Sequence, residues 1–325
     1  MDLLRFPLVV LKEVFKNMDL REQFLISLLS KRANNTLQLS CVVPRFVFEF
    51  SSYLRIHCGH RPYRFPSATE EIYCIGGKSL RLSFHPEGLI LKEQSMQNYL
   101  LLANYMLDTF KNPNVSVRFC NPTHPATALQ FMKMVNEREL SINVFDYNLT
   151  QDSSELIPKI LNECTEVTEL VTIDVYFPDD FVYTPPDPFK AKEIRIDGKC
   201  NWFNLKSFMC CPRITVLFNE KSNRTVECWS SFFTKWMDSD ASLQNLWLKK
   251  IEENEKQLII EALSNQGTQR KLDRGWIEVN RNNESILFFH VSSKEISIRT
   301  AHAYLEGLRM QDALIASMLG KLQNL

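Results

Sequence analysis

Apolar positions in the first 40 residues follow a helical rhythm. They fall at Leu11, Val14, Phe15 and Met18, the i, i+3, i+4, i+7 spacing of one helix face. Phe6-Pro7 precedes this run, and proline suits a helix start because its missing N–H would lack a partner there anyway. Asp19 and Glu22 have capping-box spacing for a second helix over 20–29, whose Phe24, Leu25, Ile26, Leu28 and Leu29 make it apolar on more than one side. A short polar helix over 31–39 completes the unit. A segment of about 40 residues is too small to be stable alone, so its surplus apolar surface needs a cover. The rest of the chain can supply it, with the helices as an internal cap on a repeat domain. A partner can supply it too.

The period then shortens to two. Strands are expected over 42–50, 53–58, 72–75, 80–84 and 89–91, with a turn at 86–88 and a loop from Arg61-Pro62 to Pro66, giving a β-rich connecting region over 41–92. Short strands recur at 80–84, 115–119, 140–145, 170–175, 194–196, 214–218 and 246–248, at intervals typical of α/β repeat arrays. Helical patterns at 96–110, 125–136, 154–162 and 226–237 fill several of the gaps, which favours parallel pairing through right-handed crossovers. Leu243, Leu246 and Leu248 fit L-x-x-L-x-L; Ala191, Ile194, Ile196 and Cys211, Ile214, Val216 fit it loosely. Only Asn219 lands on the asparagine position that follows, where Lys199 and Ile251 stand in the other two. The expected class is α/β: an irregular leucine-rich-repeat-like domain over 93–270, with a compact α/β sandwich as the rival. Strands at 276–279, 286–291 and 296–298 and an apolar helix over about 301–322 read as a meander and helix closing the end, over 271–325.

Composition narrows the function. Lys plus Arg equals Asp plus Glu at 38 each, so no global basic field draws in nucleic acid or anionic membrane. No apolar run is long enough for a membrane span, and Met1-Asp2-Leu3-Leu4-Arg5 does not read as a secretory signal. Nine cysteines without paired spacing read as reduced thiols, as in cytoplasm or nucleus.

Candidate chemistry is thin. Trp229, Phe232, Phe233 and Trp236 share a helix face and read as core. Gly76-Gly77-Lys78-Ser79 imitates the end of a phosphate loop, but Ile72 stands where its first glycine belongs. His57-Cys58-Gly59-His60 lacks a second ligand pair at zinc spacing, and Cys210-Cys211 read as packing residues. His124, His290 and His302 stand apart from any catalytic motif. No catalytic residue, metal site or cofactor is expected, and the chain reads as a non-enzyme.

The stretch from Phe6 to Leu20 resembles the opening of the F-box: Phe6-Pro7 stands for its Leu-Pro, Val14-Phe15 for its Ile-Leu/Phe, and Ser30-Lys31-Arg32 for its later Cys-Lys-Arg/Trp element. The likeness gives an F-box over 1–40. It implies a three-helix unit that binds the Skp-type adaptor of a cullin-based ubiquitin ligase, through Phe6, Pro7, Leu8, Leu11, Val14, Phe15, Met18, Leu25 and Leu28. Residues 192–248 are similar to the F-box-associated domain of type 2 of the large nematode families, on Trp229, Phe232-Phe233, Lys235-Trp236 and Leu243-x-x-Leu246-x-Leu248. The resemblance implies a substrate receptor. The body would hold a protein target while the F-box fixes it to the cullin scaffold. If the strands stack in parallel, Arg118, Asn143, Arg195, Asp197, Thr215 and Trp247 project from the sheet face as target-binding residues. A ligase-independent interaction scaffold and an α/β enzyme are the alternatives.

Overall fold

The computed structural model describes residues 5–40, 45–59, 70–85, 88–93, 95–110, 114–149, 155–175, 177, 181–198, 200–218, 223–281 and 285–322. They fall into two compact units, Met1–Val175 and Tyr176–Leu325.

The first unit opens with three helices, α1 (Leu8–Lys16), α2 (Leu20–Leu29) and α3 (Lys31–Ser40). Pro7 is the N-cap of α1. The capping box at α2 closes in both directions: the Asp19 carboxylate accepts from the Glu22 N–H at 2.8 Å, and the Glu22 carboxylate accepts from the Asp19 N–H at 2.9 Å. The Gln23 side-chain amide donates to the carbonyls of Phe15 at 2.8 Å and Met18 at 3.0 Å, tying the start of α2 to the end of α1.

A mixed sheet with three further helices follows: β1 (Arg45–Phe50), β2 (Leu54–Cys58), β3 (Glu70–Ile75), β4 (Lys78–His85), β5 (Gly88–Leu91), α4 (Met96–Thr109), β6 (Asn114–Cys120), α5 (Pro125–Asn136), β7 (Ile142–Asn148), α6 (Ile157–Asn162) and β8 (Leu170–Val175). Its order within the unit is β3-β4-β5-β2-β1-β6-β7-β8. The pairs from β3 to β1 are antiparallel, and those from β1 through β6 and β7 to β8 are parallel, with α5 and α6 as crossovers. Period-two alternation sorts the faces. Phe46, Phe48, Phe50, Val115, Val117, Phe119, Phe145 and Tyr147 are buried, and Phe131 of α5 lies 5.0 Å from the rings of both Phe48 and Phe50. The opposite face carries polar residues. Gly76 and Gly77 form the two-residue turn between β3 and β4, both at positive φ, so the phosphate-loop look-alike is a hairpin turn.

The second unit contains β9 (Glu193–Gly198), β10 (Arg213–Leu217), α7 (Val226–Asp238), β11 (Asn245–Lys249), α8 (Glu253–Ser264), β12 (Thr268–Lys271), β13 (Trp276–Arg281), β14 (Ser285–Val291), β15 (Glu295–Thr300) and α9 (Ala301–Leu322). Strand order is β12-β13-β14-β15-β11-β10-β9. β9, β10 and β11 are parallel, and β15 closes antiparallel on β11 at the head of a β12–β15 meander. The expected L-x-x-L-x-L positions stand in register: Ile194, Ile214 and Leu246 form one row, Ile196, Val216 and Leu248 the next, all buried. On α7, Trp229, Phe232, Phe233 and Trp236 are buried, the indole N–H of Trp229 donating to Glu255 and that of Trp236 to the Leu243 carbonyl, each at 2.8 Å.

The division at Val175 falls inside the stretch read as one repeat domain. Among the described residues between β8 and β9 no helix occurs, and Pro185, Pro186 and Pro188 crowd the stretch ahead of β9. The described residues thus form a three-helix start followed by mixed α/β structure on large sheets.

Candidate functional site

The helical unit has two differently occupied sides. On the inner side Phe24 is fully buried, its ring 5.4 Å from that of Phe84 on β4 and 5.7 Å from that of Tyr105 on α4. The Ser27 hydroxyl meets the Tyr105 hydroxyl at 2.8 Å, and the Gln38 amide donates to the Asp108 carbonyl. The chain itself therefore covers part of the apolar surplus, as a cap would.

On the outer side the cover stops. Val9 is 75% exposed and Leu29 76%, with Leu8, Val10 and Leu39 exposed as well. Among the described residues eleven large hydrophobic side chains are exposed, and five of them sit on α1–α3. Of the expected adaptor residues, Pro7 and Leu8 are exposed, Phe6, Val14, Met18, Leu25 and Leu28 are half-buried, and Leu11 and Phe15 are buried at 3% and 0%. The spacing rule marked the stripe Leu11–Phe15 that faces the chain's own core. It does not mark Val9, Val10 and Leu29, which stand exposed. The available signal was the unbroken run Leu8-Val9-Val10-Leu11, wider than one helix face.

The sheet faces divide the expected target residues. In the first unit Glu49, Arg118 and Asp146 are cross-strand partners on β1, β6 and β7. Arg118 pairs with Glu49 at 3.1 Å and Asp146 at 2.9 Å, and Arg55 reaches Glu49 at 3.0 Å. This ladder engages Arg118 on both sides. Asn143 lies outside that row, at an irregularity where Ile142 faces Val115 and Val144 faces Ser116, and its side chain meets Thr168. A recess of about 180 Å³ opens beside the ladder, lined by Arg45, Glu49, His57, Ser116, Arg118 and Asp146. Burial pushes the His57 pKa below its ordinary value against the opposing pull of Glu49.

In the second unit Arg195, Thr215, Trp247 and Ser297 form one cross-strand row on the face away from the aliphatic rows, with Asp197 two residues along β9 from Arg195. Trp247 is 42% exposed; its indole N–H donates to Glu295 at 3.2 Å and the Lys249 ammonium lies 3.6 Å from its ring centre. Thr215 is buried in the row, and the carboxylate of Glu193 takes both its hydroxyl and the Arg195 guanidinium. Helix α9 crosses this same face. Tyr304 stacks on Phe288 at 4.2 Å and meets Trp276 edge-on at 5.1 Å, and Phe288 stands opposite Arg299 in the strand register. Between α9 and the strands runs a groove of about 740 Å³, with Arg195, Thr215 and Trp247 in its lining and Met310 on the helix side.

Chemistry-bearing clusters are few. No group of three His, Cys, Asp or Glu fit to hold a metal occurs among the described residues; His57 and Cys58 end β2, and His60 lies outside those residues. His124 caps α5 through Nδ1, and His290 lies 5.5 Å from Trp276, ring centre to ring centre. The sulfurs of Cys210 and Cys211 lie 3.9 Å apart; this contact pulls the Cys210 pKa down to about 6 and pushes that of Cys211 up. No described helix is long and apolar enough to cross a membrane.

With this geometry in hand, comparison with known protein families matches the F-box domain over residues 3–42. Residues 3–42 are an F-box domain, and the match spans α1, α2 and α3. No curated protein and no solved structure matches the chain.

Proposed function

We propose that this chain is a non-enzymatic substrate-recognition adaptor of a Skp-cullin-F-box ubiquitin ligase. The F-box at 3–42 carries the reading, because F-box domains bind Skp-type adaptors. The exposed apolar residues on the outer side of α1–α3 agree with it: Pro7, Leu8, Val9, Val10 and Leu29 are the anchors the chain leaves uncovered. Burying each large side chain contributes roughly 1.5–3 kcal/mol, against an association cost of at least about 4 kcal/mol, so several must act together. Val14, Met18, Leu25 and Leu28 on the same three-helix unit are half-buried and keep part of their apolar surface open to a partner.

The rest of the reading follows from the body. The row Arg195, Thr215, Trp247 and the groove beside it receive a protein target in cytoplasm or nucleus, and the cullin scaffold brings the ligase chemistry. The similarity of residues 192–248 to the F-box-associated domain of type 2 supports that role, and their in-register aliphatic rows support leucine-rich-repeat-like stacking.

Co-expression with a Skp-type adaptor tests the ligase role. The wild-type chain should co-purify with it, and Val9→Asp with Val10→Asp should abolish co-purification without lowering the melting temperature. Wild-type protein that never captures the adaptor would leave the ligase-independent scaffold as the better account.

A further inference from the structure

The groove along α9 carries a charge pattern that specifies its occupant. Five cationic side chains line it, Lys192, Arg195, Arg213, Lys249 and Arg299, against two carboxylates, Glu193 and Glu306. One of the carboxylates is already taken, since Glu193 pairs with Arg195 at 3.0 Å. Three of the cations have no carboxylate partner among the described residues. Arg213 is exposed at the start of β10, Lys249 lies over the Trp247 ring, and Arg299 lies over the Trp276 ring at 5.0 Å. Arg299 is half-buried, and desolvation holds its pKa below the ordinary arginine value. Covering such cations with a neutral surface would strip their water and return nothing, so whatever settles here has to bring negative charge.

Shape limits the choice further. A small anion would fill little of a groove of about 740 Å³. Trp247 and Met310, 42% and 68% exposed, offer apolar contacts alongside the cations, which a peptide with mixed side chains can use. A nucleic-acid backbone fits less well: the two carboxylates sit within the groove, and the whole chain has a formal net charge of +0.

We infer that this groove binds an acidic peptide segment of the target, with carboxylates on Arg213, Lys249 and Arg299 and an apolar side chain against Trp247 and Met310. This deepens the proposed target-docking role of the face and rests on it.

Selection of short random peptides by display against the full chain tests both levels. The expected pool is enriched in Asp and Glu with interspersed apolar residues. Its members should bind about tenfold or more weakly to Arg213→Glu with Lys249→Gln, and less tightly as salt rises. Thermal melting checks that variant, and Arg213→Gln alone replaces it if the melt shifts. A selected pool without acidic enrichment, but lost on Trp247→Ala, would overturn the acidic class while keeping the docking face. A pool indifferent to Trp247→Ala and to the charge variant would overturn both. Displacement of selected peptides by a single-stranded oligonucleotide at equal concentration, or a dimer in sedimentation that shields Trp247 from quencher, would assign the groove to nucleic acid or to a second copy instead.

Discussion

His57 is held neutral at the end of β2, where burial outweighs the attraction of Glu49 and depresses its pKa; burial likewise lowers that of His85 on β4. An unfolded chain restores the ordinary histidine value of about 6.5, so below that pH the unfolded state takes up protons that the folded state resists. Stability from both residues is therefore complete above about pH 6.5 and is lost as pH falls toward the depressed folded values. The melting temperature should drop between neutral and mildly acidic pH, and His57→Gln should flatten that slope; an unchanged slope would remove His57 from the account. A second single-residue case is Leu246, fully buried in its row. Leu246→Ala should cost roughly 2–5 kcal/mol in denaturant unfolding through the cavity it leaves. At this scale the sequence was informative about burial, because the L-x-x-L-x-L spacing put Ile194, Ile214 and Leu246 in the core and a shared helix face put Trp236 there. It was less informative about surface roles. Nothing in the local pattern at Arg118 shows that Glu49, 69 positions away, and Asp146 engage its guanidinium.

Elements were legible wherever one period dominated. The strand expected at 170–175 and the helix at 125–136 appear with those bounds, as β8 and α5. Helix α8 and strand β12 were not foreseen. α8 opens on Glu253-Asn254-Glu255-Lys256, and β12, Thr268–Lys271, is exposed along its length with no alternation to read. Tertiary pairing with β13 makes it a strand. The two helices of the F-box hairpin give a sharper test of how local signals share the load. Asp19→Ala removes one arm of the capping box and should cost about 0.5–2 kcal/mol. Phe24→Ala removes the ring that fills the space between Phe84 and Tyr105 and should cost about 3–5 kcal/mol. Urea unfolding of both variants checks the order; an equal or reversed cost would mean that α2 is held by its own start rather than by the body.

For the molecule as a whole, the two sides of the helical unit make separable demands. Sequence reasoning set a cap on the chain against a partner-binding module as alternatives, and the described residues satisfy the conditions for both. Phe24, Ser27 and Gln38 commit the inner side to α4 and β4, while Leu8, Val9, Val10 and Leu29 leave the outer side apolar and exposed. Periodicity alone could not separate them, because α2 is apolar around its circumference and distance along the chain hides which side meets Tyr105. This arrangement predicts different failures for different lesions. Deleting residues 1–40 should expose the Phe84–Tyr105 surface and lower the melting temperature of the remaining chain, besides ending adaptor capture. Charge on the outer side, Val9→Asp with Val10→Asp, should end adaptor capture alone, since neither side chain contributes to the core. The wild-type chain expressed without an adaptor should aggregate more than this double variant, whose exposed apolar surface is smaller. Light scattering on the two proteins at matched concentration decides the point: equal aggregation would show that the outer side of α1 is not the patch that calls for a partner.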